Sequence, residues 1–513
     1  MLTFKNITLK DLKNHIFIEN FNYSLGNQDK VGIIGEEGNG KSTFLKAIYD
    51  KAWIEDYMVM SGDIKSDFKH IGYLPQQLPQ AWMNCTVFEY LLKNKPEEDI
   101  PYERYNDLKE LEILCKDLKL NVSVLQNEQI MNSLSGGEKV KVQMMKLLAS
   151  HVDLLLLDEP TNDLDIHTLE WMENFIRESN LPIMFISHDS TLLNNAANVI
   201  LHFEQVNKQS KCRYTVYRGT YNEYVSQRHS KLTKDIQVAH KEKQEYTKRK
   251  IKLNDQMNAV HDALNDTVRN PGVAASLKSK MSNIKSQEKR FEKESYSKVD
   301  STEEAIQIFF EDVNAISSKI ILELQMDTLM IEERVLIRDI DILVKGKDKV
   351  VFIGDNGCGK SILMKDMHNR LKQRSDICLG YMPQNYADLM DMSMTPIEFL
   401  MTSGDKEDIT RCRDLLGSMK FTSEEMLHSI KNTSEGQKAK LYILRFIKEK
   451  CNVLLLDEPT RNLSPLSAPV IIDVLKKYQG CIISVSHDRT FIEEVFDTRY
   501  YIENQEIQMQ KIT

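Results

Sequence analysis

Two kinds of apolar pattern divide the chain of 513 residues. One is short and continuous: VGII at 31–34, LLLL at 154–157 and IMFI at 183–186, with later echoes VLLL at 453–456 and CIIS at 481–484. Runs that are apolar at every position predict strands of a parallel sheet covered on both faces. The other pattern is long and periodic. Alternate steps of four and three from Leu232 reach Ile236, Ala239, Lys243, Tyr246, Lys250, Leu253, Met257, Val260 and Leu264, and eight of those ten positions are apolar. That is a coiled-coil seam. It resumes at Leu277, Met281, Ile284 and Phe291, interrupted by Glu288, after a turn signal at Pro271-Gly272. The prediction is an antiparallel helical hairpin over 226–300 with its tip at Asn265–Ala275. Its outgoing arm, about 35 residues at ~1.5 Å each, would project on the order of 50 Å.

The short runs introduce motifs that occur twice. GEEGNGKS at 35–42 and GDNGCGKS at 354–361 both fit G-x-x-x-x-G-K-[ST]. A strand that runs through such a turn into a helix aims backbone N–H groups and the positive end of the helix dipole at phosphate. YLPQ at 73–76 returns as YMPQ at 381–384, LLLLDEPT as VLLLDEPT, and ISHD at 186–189 as VSHD at 485–488. LSGGE at 134–138 has a weaker counterpart in TSEGQ at 433–437. Ser135, Asp158 and His188 each precede Ser434, Asp457 and His487 by 299 residues. One construction has been used twice in tandem. Lys41 and Lys360 would reach the β- and γ-phosphates, while Ser42 and Ser361 offer hydroxyls to Mg²⁺. Asp158 and Asp457 end buried strands on the crevice side of an open sheet, where a carboxylate holds the metal. Glu159 and Glu458 are placed to orient an attacking water, and His188 and His487 to meet the γ-phosphate.

Composition changes the picture in one place. Mean hydropathy is −0.41 and charged content 28%, so the chain reads as soluble and globular, long enough for two or three domains. No run approaches a membrane span, and the start, MLTFKNITLKDLKNH, lacks the build of a secretory signal. The eight cysteines are scattered without a C-x-x-C pair, as expected of free thiols in a reducing compartment. Formal net charge is −9, yet 228–298 holds 17 Lys/Arg against nine Asp/Glu. A spacer that only needs solubility has no use for one sign of charge. A basic rod on an acidic protein suits a nucleic-acid backbone, with Lys241, Lys243, Lys248, Arg249, Lys250, Lys252, Arg269, Lys278 and Lys280 as the candidate contacts.

Walker A, Q-loop, signature, Walker B, D-loop and H-switch together resemble the ATP-binding cassette (ABC) ATPases, over roughly 1–225 and 301–513. The resemblance implies an α/β fold of two tandem P-loop nucleotide-binding domains joined by the hairpin linker of 226–300. It implies ATP and Mg²⁺ as cofactors, and two cassettes that close face to face over two nucleotides. One site would use Gly35, Glu36, Glu37, Gly38, Asn39, Gly40, Lys41, Ser42, Thr43 and Gln76 with Asp158, Glu159 and His188, facing Ser434, Gly436 and Gln437. The other would use Gly354, Asp355, Asn356, Gly357, Cys358, Gly359, Lys360, Ser361, Ile362 and Gln384 with Asp457, Glu458 and His487, facing Ser135, Gly136, Gly137 and Glu138. Metal ligands would be Ser42, Gln76 and Asp158 in the first and Ser361, Gln384 and Asp457 in the second. Two departures predict asymmetry. Glu435 stands where the family has glycine and would repel the γ-phosphate of the first site unless it turns away. The second D-loop, Arg461-Asn462-Leu463-Ser464, lacks the acid that Asp165 provides in the first. His15 and Phe17 are the candidates for stacking on adenine.

Tandem cassettes with a long linker and no membrane domain resemble the ABC-F subfamily, whose members act on ribosomes. EPTRNLSPLS at 458–467 and the S-E-G-Q signature are similar to antibiotic-resistance members of the Vga, Lsa and Vml type. The short stretch between Gln76 and Ser135 leaves little room for the added arm of translation factors. The resemblance implies a cytoplasmic, ribosome-associated ATPase. It would enter the exit site when ATP-bound and reach the large-subunit rRNA and P-site tRNA with its linker. It would thereby protect the peptidyl-transferase centre from lincosamides, pleuromutilins and group A streptogramins, with no transmembrane partner. The rival readings are a housekeeping ABC-F factor that rescues stalled ribosomes, the energising subunit of a multidrug exporter, and a chromosome-associated ATPase. The exporter leaves the basic hairpin unexplained, and the last wants a far longer coil or zinc modules.

Overall fold

A computed structural model describes residues 1–118, 120–121, 125, 129–161, 164–206, 211–266, 271–291, 319–331 and 334–511. The chain forms two compact units, Met1–Tyr221 with Ile306–Thr513, and Asn222–Ala305. Both cassettes lie in the first.

In the first cassette the strands are β1 (Leu2–Asp11), β2 (Ile16–Leu25), β3 (Lys30–Ile34), β4 (Met58–Ser66), β5 (Ile71–Leu74), β6 (Leu154–Asp158), β7 (Ile183–Ile186), β8 (Val199–Val206) and β9 (Lys211–Arg218). Its central sheet runs in the order β5-β6-β7-β3-β8-β9, parallel apart from the antiparallel edge strand β9. Every residue of β3, β6 and β7 is buried, as their unbroken apolar runs require. A smaller antiparallel sheet, β2-β1-β4, packs its Phe4 and Phe21 against Phe44 and Phe203. The second cassette repeats the plan with β10 (Ile320–Ile331), β11 (Arg334–Lys345), β12 (Lys349–Gly354), β13 (Leu379–Met382), β14 (Val453–Asp457), β15 (Cys481–Val485), β16 (Thr498–Glu503) and β17 (Glu506–Lys511). Its sheet order, β13-β14-β15-β12-β16-β17, matches the first strand for strand. Even the supporting cations recur. Lys30 caps the carbonyls of Ser179 and Leu181, and Lys349 those of Leu475 and Lys476.

Six helices carry the loops, signatures and linker: α1 (Lys41–Tyr49), α2 (Gly136–Leu148), α3 (Tyr221–Asp266), α4 (Pro271–Phe291), α5 (Lys360–Lys372) and α6 (Glu435–Lys448). The second unit holds all of α3 after its first residue, together with α4. On α3, Leu232, Tyr246, Leu253, Met257 and Val260 are half-buried, and on α4 Leu277, Met281 and Ile284 are, each flanked by exposed residues. Burial thus falls on those apolar seam positions whose side chains are described. The arm is longer than the periodicity suggested. α3 has 46 residues, begins at Tyr221 and extends about 70 Å. Lys241, Lys248, Arg249, Lys250, Lys252, Lys278 and Lys280 are exposed. Arg269, part of the expected tip and residues 292–318 lie outside the described residues, as do the side chains of Ile236, Ala239, Lys243, Leu264 and Phe291.

Candidate functional site

Each phosphate loop is a strand–turn–helix junction, β3 into α1 and β12 into α5. Gly40 and Gly359, the N-caps of these helices, take the left-handed φ values of 77° and 107° that glycine adopts freely. Gly35 and Gly354 are required for space, since a Cβ there would lie 2.4 Å from the Phe203 carbonyl oxygen and 2.6 Å from that of Ile502. Both loop lysines are buried and turn back on their own loops. Lys41 Nζ donates to the carbonyls of Gly35 and Glu36 at 2.8 and 2.9 Å, and Lys360 Nζ to those of Gly354 and Asp355 at 2.7 and 2.8 Å.

At the ends of β6 and β14 the two carboxylates differ. Asp158 is fully engaged, accepting from Ser42 Oγ and from Tyr73 OH, both at 2.8 Å. The Tyr73 phenol is raised by burial and then by this carboxylate. Asp457 accepts from Ser361, but its Oδ1 is buried with no hydrogen-bond partner among the described residues. Burial pushes its pKa up to about 6. A carboxylate oxygen left bare beside a serine hydroxyl fits a hard divalent cation. Ser361 and Asp457 would hold Mg²⁺, which neutralises phosphate charge when bound. Ser42 and Asp158 offer the same pair with both oxygens already bonded.

The glutamates that follow sit in strained backbone, Glu159 at φ 49° and Glu458 at φ 53°. Non-glycine residues tolerate that region where the surroundings enforce it, commonly at reacting centres. In the first cassette Gln76 Nε2 donates to Glu159 Oε2 at 2.7 Å, and His188 Nε2 lies 3.1 Å from Glu159 Oε1. His188 Nδ1 is 3.0 Å from the Leu463 carbonyl, which only accepts. Nδ1 therefore carries a proton, and the contact with Glu159 needs one more, shared by the pair. In the second cassette the corresponding contact, His487 Nε2 to Glu458 Oε1, is 3.7 Å. His487 Nδ1 is buried without a partner among the described residues. Burial, then Lys360, push this imidazole down to about 4. Burial, then Asp457, push the Glu458 carboxyl up to about 8.

The phosphate loop of the first cassette meets the signature and D-loop of the second. Ser434 and Ser135 each N-cap their helix, α6 and α2, in a reciprocal capping box with Gln437 and Glu138. The Gly436 amide donates to Glu37 Oε2 at 3.2 Å. Ser464 Oγ and Ser467 Oγ both donate to Glu36 Oε1 at 2.9 Å, and Lys440 stands 4.0 Å from the same carboxylate. Burial opposes ionisation of Glu36. Lys440 and the two serines outweigh it and hold the carboxyl below the usual range, an effect that water trims because 54% of the side chain is exposed. Glu435 does turn away: it pairs with Lys438 and keeps 51% of its side chain exposed.

The second site is an open cavity of about 430 Å³. Asn356, Gly357, Gly359, Lys360, Ser361, Ile362, Gln384, Asp457, Glu458 and His487 line it. Thr161, Leu164, Leu169, His188 and Asp189 close it from the first cassette, and the signature Ser135–Glu138 is not among its lining. Sequence reasoning missed Arg334 and Arg461 in this lining, and the roles of Tyr73 and of Glu36 as partner to Ser464 and Ser467. YLPQ and YMPQ carry the only forward signal, a tyrosine that recurs. Phe17 stands where a side chain on Gly40 would touch it at 3.1 Å, with His15 packed edge-on against it at 4.7 Å. Leu336 holds the matching place beside Gly359.

The family model described as "ABC transporter" matches residues 18–162 and 337–461, just over half of the chain. ATP-binding protein Uup of Buchnera aphidicola subsp. Schizaphis graminum is 28% identical over 512 residues, which cover 96% of this chain and 78% of that one. Ribosome protection protein VmlR of Bacillus subtilis is 27% identical over 522 residues, 99% of this chain and 88% of that one. Among solved structures, the archaeal ribosome recycling factor aABCE1 in complex with the stalk protein aP1 superposes with a TM-score of 0.57. Identity there is 16%, over 97% of this chain and 87% of that one, a likeness of fold. Among the described residues no helix is long and apolar enough to cross a membrane. With the motif geometry of both halves and a family match to each, the chain belongs to the ABC transporter family and carries two ATP-binding cassettes, the ATPase unit of that family.

Proposed function

We propose that this ATPase is of the ABC-F type and acts on the ribosome, where it protects the peptidyl-transferase centre from lincosamides, pleuromutilins and group A streptogramins. The observation that carries the reading is the linker: exposed Lys241, Lys248, Arg249, Lys250, Lys252, Lys278 and Lys280 on two long helices between twin cassettes. A rod of that charge neutralises successive phosphates and gains from counterion release. ATP held between the cassettes fixes the clamped form, which sits in the exit site with the linker toward the P-site tRNA and rRNA. Hydrolysis then releases it. Glu159 and Glu458 orient the attacking water, Lys41 and Lys360 with Mg²⁺ neutralise the phosphates, the Gly436 amide completes the first site, and closure on ATP would bring Gly137 to the second, whose cavity it does not line here. The likeness to a protein named for ribosome protection, over 99% of this chain and 88% of that one, supports the drug-protection reading, and housekeeping rescue is the alternative that drug susceptibility separates from it.

The test combines Glu159→Gln and Glu458→Gln. The doubly substituted chain should co-sediment with ribosomes only when ATP is present, and cells that carry the unmodified chain should tolerate those drugs better than cells without it. Recovery in the membrane fraction, or unchanged drug susceptibility, would overturn the corresponding part. Charge reversal at Lys248, Arg249 and Lys250 should weaken ribosome binding by roughly ten-fold or more and leave basal ATP hydrolysis intact.

A further inference from the structure

Five consecutive residues of the second cassette, Leu463–Ser467, touch the first cassette at three separate places. The Leu463 carbonyl meets the ring of His188 at 3.0 Å. Ser464 and Ser467 grip Glu36 of the phosphate loop at 2.9 Å each. Between them, the Pro465 carbonyl accepts a hydrogen bond from Tyr221 OH at 2.9 Å. Tyr221 is 4% exposed. It is the last residue of the first compact unit's N-terminal segment and the first of α3. The strip itself is suited to move in one piece. Leu463, Ser464, Pro465 and Ser467 are buried, and proline fixes its own φ and supplies no amide that could bond elsewhere.

We propose that Tyr221 is a positioning residue, whose hydroxyl ties the root of α3 to a strip that reads the first nucleotide site at both its phosphate loop and its H-switch. A γ-phosphate that enters between the first phosphate loop and the Gly436 amide brings negative charge against Glu36 and Glu37. The carboxylate of Glu36 must shift, and the two serines that donate to it shift with it. Pro465 lies between those serines, so its carbonyl carries the displacement to Tyr221. The inference rests on nucleotide-driven clamping under the proposed function and not on the identity of the partner the linker meets.

Hydrogen exchange on the full chain, without ribosomes, tests it. Amides 222–230 are followed with and without Mg²⁺ and a non-hydrolysable ATP analogue. In the unmodified chain the analogue should change their exchange about five-fold, the scale set by one net hydrogen bond. Tyr221→Phe removes only the hydroxyl. It should reduce that difference to less than two-fold and leave ATP hydrolysis within two-fold of the parent. Ser467→Ala loosens the grip on Glu36 with Tyr221 intact and should also diminish the difference. Should Tyr221→Phe fail to fold, Ser467→Ala carries the test. The proposal is overturned if the parent shows no nucleotide-linked change, if either folded variant retains the full difference, or if Tyr221→Phe folds but loses ATP hydrolysis in step with thermal stability. Loss of ribosome binding with this exchange pattern intact would sink the partner reading alone.

Discussion

The two composite sites are built from one plan and stand in different states. In the first, every reactive group is already answered by protein. Asp158 is bonded through both oxygens, Glu159 is held by Gln76 and His188, and Glu36 and Glu37 bridge to the other cassette. In the second, among the described residues, Asp457 keeps a bare oxygen, His487 a bare nitrogen, and a cavity lies open around Lys360. Carboxylates thus occupy in the first site the amide and hydroxyl donors that a nucleotide would otherwise meet. A site that supplies its own anions closes without ligand and gives up part of its affinity for phosphate. In the second loop Asp355 and Asn356 stand where Glu36 and Glu37 do, so one carboxylate is lost and the other is a methylene shorter. The two phosphate loops share one geometry and differ at these two side chains.

The sharpest break between the sites should be catalytic. Glu458→Gln should lower steady-state phosphate release on the order of 100-fold, as loss of a water-orienting group does. Glu159→Gln should leave more than half. Equal losses would erase the distinction. A smaller effect, about ten-fold, should appear in pH profiles. Glu458 is neutral at pH 7, and the carboxylate forms as pH rises through about 8. kcat/KM of a Glu159→Gln chain should therefore climb between pH 7 and 9, and Glu458→Gln should abolish that limb. The same buried carboxyl favours its proton when folded, so its contribution to native stability is fully present below the usual carboxyl value of 4.5 and is lost as pH rises from there to about 8. Smaller again, Glu36→Gln weakens the bonds to Ser464 and Ser467. With that competing anion gone, release of a fluorescent nucleotide from the first site should slow about five-fold, with the second unchanged.

Much of this was legible beforehand because it is local. The phosphate loops, the buried runs before Asp158 and Asp457 and the 299-residue offset of Ser135, Asp158 and His188 all come from short stretches read twice. The coiled-coil seam was legible too, since Lys243 and Lys250 interrupt a period that the other positions keep. What escaped is what the fold brings together from afar. Ser464 and Ser467 lie 428 and 431 residues from Glu36, and no spacing rule connects them. Tyr73 repeats as Tyr381, but its bond to Asp158 depends on β5 and β6 being neighbours. The root of α3 escaped because Tyr221 is anchored by Pro465 of the other cassette, beyond the reach of local helix signals. Which way Glu435 turns was left open by the sequence, and Lys438, one turn along α6, is what draws its charge aside.

The lysines folded onto their own loops set a limit on how these cassettes respond to starvation. An ammonium that already has two carbonyl acceptors loses them when a nucleotide arrives, so capture is an exchange of partners with only the difference gained. Depleted of fuel, each loop keeps its shape with its cation satisfied, and occupancy should track the cell's energy supply instead of saturating far beneath it.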